Sequence, residues 1–166
     1  IVVNGTLKAQ GTASQPVIFT SYRDDSAGSD TNNDGNSGGN VGDWHDILFT
    51  SSSTNNVLNH VEVRYGAGAN NASIIANGAP LTLSNSIIRD SYVDGLRLIG
   101  SNAVITGDTF QNCGLSFGGA GIHIDLASQP TITGVTFPNN RINGVAVDGG
   151  SLPAGTTTWN NPAAVY

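Results

Sequence analysis

Short apolar runs recur along this chain at a nearly constant spacing. Four six-residue stretches open on Leu or Ile, carry small or polar residues in the middle and close on Val, Ile or Phe; they begin at Leu58, Leu83, Ile105 and Ile132. Their starts are 25, 22 and 27 residues apart. A repeat of this period is typical of a solenoid of stacked turns.

A second apolar series alternates with the first. It opens on glycine each time, at Gly95, Gly121 and Gly144. The segments are too short for helical crossovers, and the Asn, Asp, Ser and Gly residues between them favour tight corners because they tolerate left-handed backbone. Each turn is therefore predicted to carry one strand of each series. We expect a third, shorter strand in some turns, for example at residues 115–117.

Stacked turns pair each strand in parallel with its equivalent in the next turn, so that alternate residues form inward columns. The predicted apolar columns are Leu58, Leu83, Ile105 and Ile132; Val63, Ile88, Phe110 and Phe137; and Leu96, Ile122 and Val145. A predicted polar corner ladder consists of Asp90, Asn112 and Asn139.

The N-terminal part has three strand patterns, at residues 1–3, 6–9 and 17–20. A polar excursion with almost no apolar residues follows at about 23–46, and residues 47–51 then echo residues 17–21 at a spacing of 30. A solenoid accommodates such an insertion as a loop that projects from one turn.

Several of these segments together resemble a known family. The segments 5–13 and 16–21, the Asp/Gly/Asn-rich excursion, Gly42-Asp43-Trp44 and the segment 63–66 occur in this order. The pattern resembles the right-handed parallel β-helix repeat domains of large secreted bacterial proteins, in the pectin-lyase-like superfamily. The resemblance covers essentially the whole chain and implies an all-β, right-handed parallel β-helix with one long polar loop excursion at about 23–46. It implies no single activity, because this fold hosts lyases, hydrolases, adhesins and structural repeats.

Composition narrows the function classes. The chain has 166 residues, a net charge of −6 and only six basic residues, which form no cluster. This pattern argues against nucleic-acid binding, and no apolar run is long enough to insert into a membrane. We interpret residues 1–166 as a single β-helix domain from a longer repetitive chain, because residues 163–166 resemble the start of another turn. The acidic, polar composition fits an extracellular or cell-surface protein of the bacterial secreted type.

The polar excursion contains half of a calcium-loop pattern. The candidate ligands are Asp30, Asn32 and Asp34, to which Asp24, Asp25 and Asp43 could add oxygens. Oxygen side chains at loop positions 1, 3 and 5, with Gly35 at position 6, suit calcium, which prefers hard oxygen ligands. Position 12 is Val41, where an EF-hand has Glu, so this is no complete EF-hand. The alternative is a solvated Asx-rich loop.

The strands of the glycine-opened series suggest a candidate catalytic face. Its residues are Asp125, Asp148, His123 and Arg97. Paired carboxylates beside basic groups are what a glycoside hydrolase or a calcium-assisted uronate lyase uses. No complete polygalacturonase or pectate-lyase motif set accompanies them, and the alternative is scattered surface charge.

Other residues with potentially reactive side chains are interpreted as structural. His45 and Asp46 stand where the resemblance leads us to expect small residues, but neighbours on a strand point to opposite faces, and Trp44 is predicted to pack the excursion onto the helix. Cys113, the only cysteine, is predicted to be a buried turn residue.

The charged residues near His60 are also predicted to have a structural role. His60 is placed in mid-strand, with Arg64 and Arg89 in one outward column near Glu62. We expect them to form surface ion pairs of little energetic weight.

Two functional hypotheses follow. The first is a non-enzymatic extracellular β-solenoid module with a structural, surface, filament-forming or adhesive role. Its expected partners are neighbouring β-helix turns or identical subunits end to end, and extracellular glycans. The second is a polysaccharide-active lyase or glycoside hydrolase. Calcium is the one cofactor that the sequence suggests.

Overall fold

The computed structural model of the chain describes residues 1–68, 71–152 and 154–159. All of its regular elements are β-strands. In chain order they are β1 (Val2–Val3), β2 (Lys8–Gln10), β3 (Val17–Phe19), β4 (Ile47–Phe49), β5 (Asn56–Asn59), β6 (Val61–Arg64), β7 (Ala72–Asn77), β8 (Leu81–Ser84), β9 (Ile87–Arg89), β10 (Asp94–Ile99), β11 (Val104–Thr106), β12 (Thr109–Gln111), β13 (Ala120–Ile124), β14 (Thr131–Thr133) and β15 (Ile142–Val147).

The strands form three parallel sheets. The six-stranded sheet has the order β1-β4-β7-β10-β13-β15, the five-stranded sheet β14-β11-β8-β5-β2, and the four-stranded sheet β12-β9-β6-β3. Successive strands of the chain visit the three sheets in turn, so the backbone winds as a helix of stacked coils. The predicted all-β, right-handed parallel β-helix is confirmed.

The predicted apolar columns form the core. Leu58, Leu83, Ile105 and Ile132 are in register across β5, β8, β11 and β14. Leu96, Ile122 and Val145 are aligned in the six-stranded sheet, and Val63, Ile88 and Phe110 in the four-stranded sheet. Phe137 continues the last column by stacking on Phe110, with 5.9 Å between the ring centroids. These side chains fill the space between the three sheets.

Each six-residue stretch contains a corner that the sequence pattern did not predict. His60, Asn85, Gly107 and Gly134 adopt positive φ angles of 49°, 51°, 69° and 65°. A left-handed residue bends the chain, so each stretch begins in the five-stranded sheet and then turns toward the next face of the helix. The bend divides the stretch into two strands, and the second of these is the third strand of the turn. Residues 115–117 form no strand, and the prediction of a strand there was wrong.

The next corner carries the predicted polar ladder. Tyr65, Asp90, Asn112 and Asn139 all have positive φ, between 54° and 65°. Asn112 Nδ2 donates a hydrogen bond of 2.9 Å to Asp90 Oδ1, which confirms the side-chain contact for that pair. Left-handed backbone thus recurs at equivalent corners of successive turns.

The excursion, residues 23–46, contains no strand, and Gly39 lies against the Tyr65 ring at this corner. Trp44 packs against the core, and its Nε1 donates a 2.8 Å hydrogen bond to the Arg64 carbonyl, as the role predicted for it requires. The echo between residues 47–51 and 17–21 was misleading, since β4 pairs with β1 and β7 whereas β3 pairs with β6. The apolar triplets of β3 and β4 look alike because both sheets require the same alternation of inward and outward residues.

No helix in the described ranges is long and apolar enough to cross a membrane. Residues 163–166, interpreted above as the start of a further turn, lie outside the described residues.

Candidate functional site

One charged cluster lies on the outward face of the six-stranded sheet. Arg97, His123 and Ala146 occupy neighbouring positions on β10, β13 and β15, as predicted. Asp148 directly follows β15, and Asp94 is the first residue of β10. Parallel register therefore aligns Arg97, His123 and Ala146, which are 26 and 23 residues apart in sequence, and Asp148 lies two residues beyond Ala146.

His123 is held between two carboxylates. Its Nδ1 lies 2.9 Å from Asp94 Oδ2, and its Nε2 lies 3.0 Å from Asp148 Oδ1. Arg97 reaches over β13 and forms a 2.6 Å ion pair with Asp148 Oδ2. Each ring nitrogen of His123 therefore faces a carboxylate oxygen, and the Arg97 guanidinium contacts the same cluster.

Asp125 belongs to a different structure. Its carboxylate accepts hydrogen bonds from the Gly100 N–H at 3.0 Å and from the Ser128 hydroxyl at 2.6 Å. Burial would raise the pKa of Asp125, but these donors outweigh it and hold that pKa below its usual value. The structure thus brings together three of the four predicted residues and uses Asp125 to shape a turn.

Sequence reasoning missed Asp94. Strict alternation back from Leu96 assigns Asp94 to the inward face, whereas the structure turns its carboxylate to the Ala120 N–H at 2.8 Å and to His123. The one available signal was the position of Asp94 directly before Gly95, the glycine that opens the strand. Gly95 lies in tightly packed space that has no room for a side chain.

A cavity of about 310 Å³ lies beside this cluster. Its walls include Asp94, Arg97 and His123, together with Val93, Gly118, Gly119, Ile142 and Ala146. The neighbouring side chains Tyr92 and Phe117 stack with 5.6 Å between ring centroids, and Phe117 is 61% exposed. A small cavity with both charged and apolar walls and an exposed aromatic ring therefore occur in the same part of the surface.

A second acidic cluster lies in the excursion. Asp25, Asp30 and Asp34 each place a carboxylate oxygen within 4.8 Å of the others. Asn32 belongs to the same loop, and its Nδ2 donates a 2.7 Å hydrogen bond to Asp34. Of the three additional ligands considered from sequence, only Asp25 joins this group.

The other two additional candidates have separate roles. Asp24 forms a 2.5 Å ion pair with Arg64, whereas Asp43 accepts hydrogen bonds from Ser21 Oγ at 2.6 Å and from the Asn40 N–H at 2.9 Å. Burial favours the neutral form of Asp24, but the hydroxyls of Ser26 and Thr20 and the charge of Arg64 keep its pKa below the usual value.

The predicted surface ion pairs near His60 are not all on the surface. The Arg64 side chain is only 7% exposed and contacts both Asp24 and Glu62, and Arg89 also contacts Glu62, at 2.6 Å. His60 is a corner residue rather than a mid-strand one. The excursion covers Arg64, which the strand pattern alone could not indicate.

The remaining candidates are structural or exposed. Cys113 is fully buried, as predicted, and burial raises its pKa to about 12, so the thiolate needed for nucleophilic chemistry is disfavoured. His45 is exposed, and its carbonyl accepts a 2.6 Å hydrogen bond from the Ala67 N–H.

Three parallel sheets, inward apolar columns and repeated left-handed corners define the class of this protein: it is a parallel β-solenoid. Residues 31–161 match the family model described as the right-handed β-helix region. The chain belongs to this right-handed β-helix family. Comparisons with curated proteins and with solved structures gave no match.

Proposed function

We propose that this chain is a non-enzymatic structural module of an extracellular or cell-surface protein, in which a rigid β-solenoid forms part of a stalk, filament or adhesive surface. The observation that best supports the proposal is the use of outward charged groups as ties between turns. His123 joins Asp94 on one turn to Asp148 on another, and Arg97 spans the same strands. Such ties stiffen a stack.

The proposed location rests on composition. The chain combines a net charge of −6 with abundant Gly and short apolar repeats. An acidic, polar surface is compatible with an exterior environment, in a protein of the bacterial secreted type. The same negative charge disfavours nucleic acid as a partner.

The proposed partners are further β-helix turns or identical subunits stacked end to end, with extracellular glycans as ligands of an adhesive surface. The outermost strands of a parallel stack present backbone donors and acceptors that another strand can pair with. Sedimentation velocity over a range of concentrations tests this arrangement. Reversible association is expected, and a strictly monomeric chain at high concentration would count against subunit stacking.

One observation favours the second candidate, a polysaccharide-active lyase or glycoside hydrolase. Asp94, Arg97 and His123 line a cavity of about 310 Å³, and a second carboxylate, that of Asp148, contacts both Arg97 and His123. Glycosidases use two carboxylates, one as acid and one as base or nucleophile. In this geometry, however, both carboxylates form ion pairs with Arg97, at 3.9 Å for Asp94 and 2.6 Å for Asp148.

A degradation screen on a panel of neutral and acidic polysaccharides, with and without calcium, separates the two functions. The structural proposal predicts no turnover by the purified chain. The decisive variants are Asp94→Asn with Asp148→Asn, and Asp125→Asn serves as the matched control. Turnover that is lost in the double variant and retained in the control would overturn the structural proposal.

A further inference from the structure

The excursion holds a carboxylate cluster that forms no ion pair with any basic side chain in the described parts of the chain. Oxygens of Asp25, Asp30 and Asp34 lie within 4.8 Å of one another. Arg64 binds Asp24 and Glu62, and Arg23, whose Nε donates to Tyr22 Oη, senses the charge of Asp34 but forms no ion pair within the described residues. Three like charges at this separation repel one another unless a cation joins them.

A second, independent observation concerns buried oxygens in the same loop. Asp25 Oδ1 and Asn32 Oδ1 are both shielded from solvent and accept no hydrogen bond from the residues that the structure describes. Removing such an acceptor from water is costly unless something else binds it. Asp25 is oriented by its other oxygen, which accepts a 2.5 Å hydrogen bond from the Ser37 N–H. Its unpartnered oxygen therefore belongs to a fixed side chain.

The loop is already organised around these oxygens. Asp30 accepts hydrogen bonds from the N–H groups of Asp34 and Gly35, at 3.1 and 3.0 Å. Thr31 Oγ1 and Ser37 Oγ donate to the carbonyls of Tyr22 and Arg23, at 2.6 and 2.7 Å. These bonds close the loop onto its own base, so little ordering remains for a ligand to impose.

We infer that Asp25, Asp30, Asn32 and Asp34 bind one calcium ion. All four donors are hard oxygens, the ligand type that calcium prefers over the nitrogen and sulfur ligands of zinc or copper. An irregular loop with water completing the shell suits calcium better than magnesium, which demands a stricter octahedron. The ion neutralises the cluster and gives a partner to both buried oxygens.

The site also explains the arrangement of the two adjacent aspartates. Asp24 attaches the start of the excursion to the helix through Arg64, while Asp25 turns the other way into the cluster. Calcium binding is therefore predicted to stabilise residues 25–37 next to an anchor that the protein supplies itself.

Calorimetric titration of chelator-treated protein with calcium chloride tests the inference. One ion per chain is expected to bind, with an affinity typical of extracellular modules, about 10⁻⁴ to 10⁻³ M. Calcium at about 10 mM should raise the melting temperature by about 5 °C. Magnesium should produce a smaller rise, and an equal response to both ions would overturn the assignment to calcium.

Matched variants locate the site. Asp34→Asn keeps an acceptor for Asn32 but removes a charged ligand, and should weaken binding by about tenfold or more. Asp25→Asn should act similarly and provides a second probe if either variant is unstable. Asp46→Asn removes the same charge elsewhere in the excursion and should bind calcium as the unchanged chain does. Absence of heat and of any melting shift at 10 mM calcium, or undiminished binding by both site variants, would overturn the inference.

Discussion

The two acidic clusters of this solenoid differ in how their charge is balanced. On the six-stranded sheet, Asp94 and Asp148 meet His123 and Arg97 because β10, β13 and β15 are neighbouring parallel strands. In the excursion, Asp25, Asp30 and Asp34 converge without a basic side chain among them. In the first cluster the stacked strands bring basic side chains to both carboxylates, whereas for the loop cluster we infer an ion from solution.

Two further aspartates extend the comparison. Asp24 is 2% exposed and is neutralised by Arg64, which ties the loop to the stack. Asp108 is 1% exposed within the stack and accepts hydrogen bonds from the N–H groups of Ser86 and Thr106. Burial outweighs these bonds and raises the pKa of Asp108 to about 7. Burial is thus offset by an internal cation at Asp24 and accompanied by a raised pKa at Asp108, whereas a bound cation is our inference for the excursion cluster.

The largest expected effect comes from removing the internal cation that neutralises Asp24. Arg64→Met leaves Asp24 buried without its positive partner, and such losses cost about 3–5 kcal/mol of unfolding free energy. Urea denaturation measures the loss. Adding Asp24→Asn should recover part of the stability, and a double-mutant cycle without coupling between the two sites would refute the importance of the pair.

The raised pKa of Asp108 should make the free energy of unfolding depend on pH with the opposite sign to the dependence that Asp24 produces. Between its ordinary pKa of 3.8 and its folded pKa of about 7, Asp108 keeps a proton that the unfolded chain has lost. Stability from this group is therefore full below about pH 4 and falls as the pH rises to about 7, by up to about 4 kcal/mol.

The stabilisation that Asp24 supplies is instead lost as the pH falls through its lowered folded pKa. Urea denaturation of the unchanged chain and of Asp108→Asn at several pH values isolates the Asp108 contribution. Parallel stability curves for the two proteins between pH 5 and 8 would contradict it.

A smaller effect is expected where the excursion meets the corner of the helix. A Cβ on Gly39 would lie 2.2 Å from Cδ2 of the Tyr65 ring, whereas a Cβ on Gly38 would have no neighbour within 4 Å. Gly39→Ala should therefore cost about 1–3 kcal/mol and expose the excursion to proteases, while Gly38→Ala should stay within about 0.5 kcal/mol of the unchanged chain. Thermal melting and limited proteolysis measure both. Equal behaviour of the two variants would show that the excursion is not docked on Tyr65.

The smallest difference in stability is expected between variants of the Asp94–His123–Asp148 cluster. Asp94→Ala leaves the buried N–H of Ala120 without its 2.8 Å acceptor, so a loss of about 1–3 kcal/mol is expected. Asp148 has a side chain that is 37% exposed, and Asp148→Ala should cost no more than about 1 kcal/mol. Chemical denaturation measures the loss of unfolding free energy in both variants. A larger loss in Asp148→Ala than in Asp94→Ala would mean that the contacts of Asp148 contribute most of the stability of the cluster.

The stacked architecture could be predicted because its signal is periodic. Leu58, Leu83, Ile105 and Ile132 recur at the spacing of one turn, and burial on one face requires that pattern. The corners inside the six-residue stretches were not predicted, because His60 adopts a left-handed conformation that residue type alone does not require.

The charged contacts were predictable only in part. Outward columns place Arg97 beside His123 by alternation alone. Asp94 departs from that alternation, and the burial of Arg64 depends on a loop that returns from more than 20 residues away in sequence, so neither follows from local pattern. In the excursion, composition identified the acidic loop, but only its folded path shows that Asp25 rather than Asp24 or Asp43 joins Asp30 and Asp34.

A crystal structure of the chain grown with calcium tests the contrast between the two clusters most directly. The account predicts one ion bound by Asp25, Asp30, Asn32 and Asp34 at about 2.3–2.6 Å, with anomalous signal at that place. It predicts that the Asp94–His123–Asp148 group keeps its internal ion pairs and binds no metal. An excursion without an ion at saturating calcium, or an ion at the His123 group instead, would contradict it.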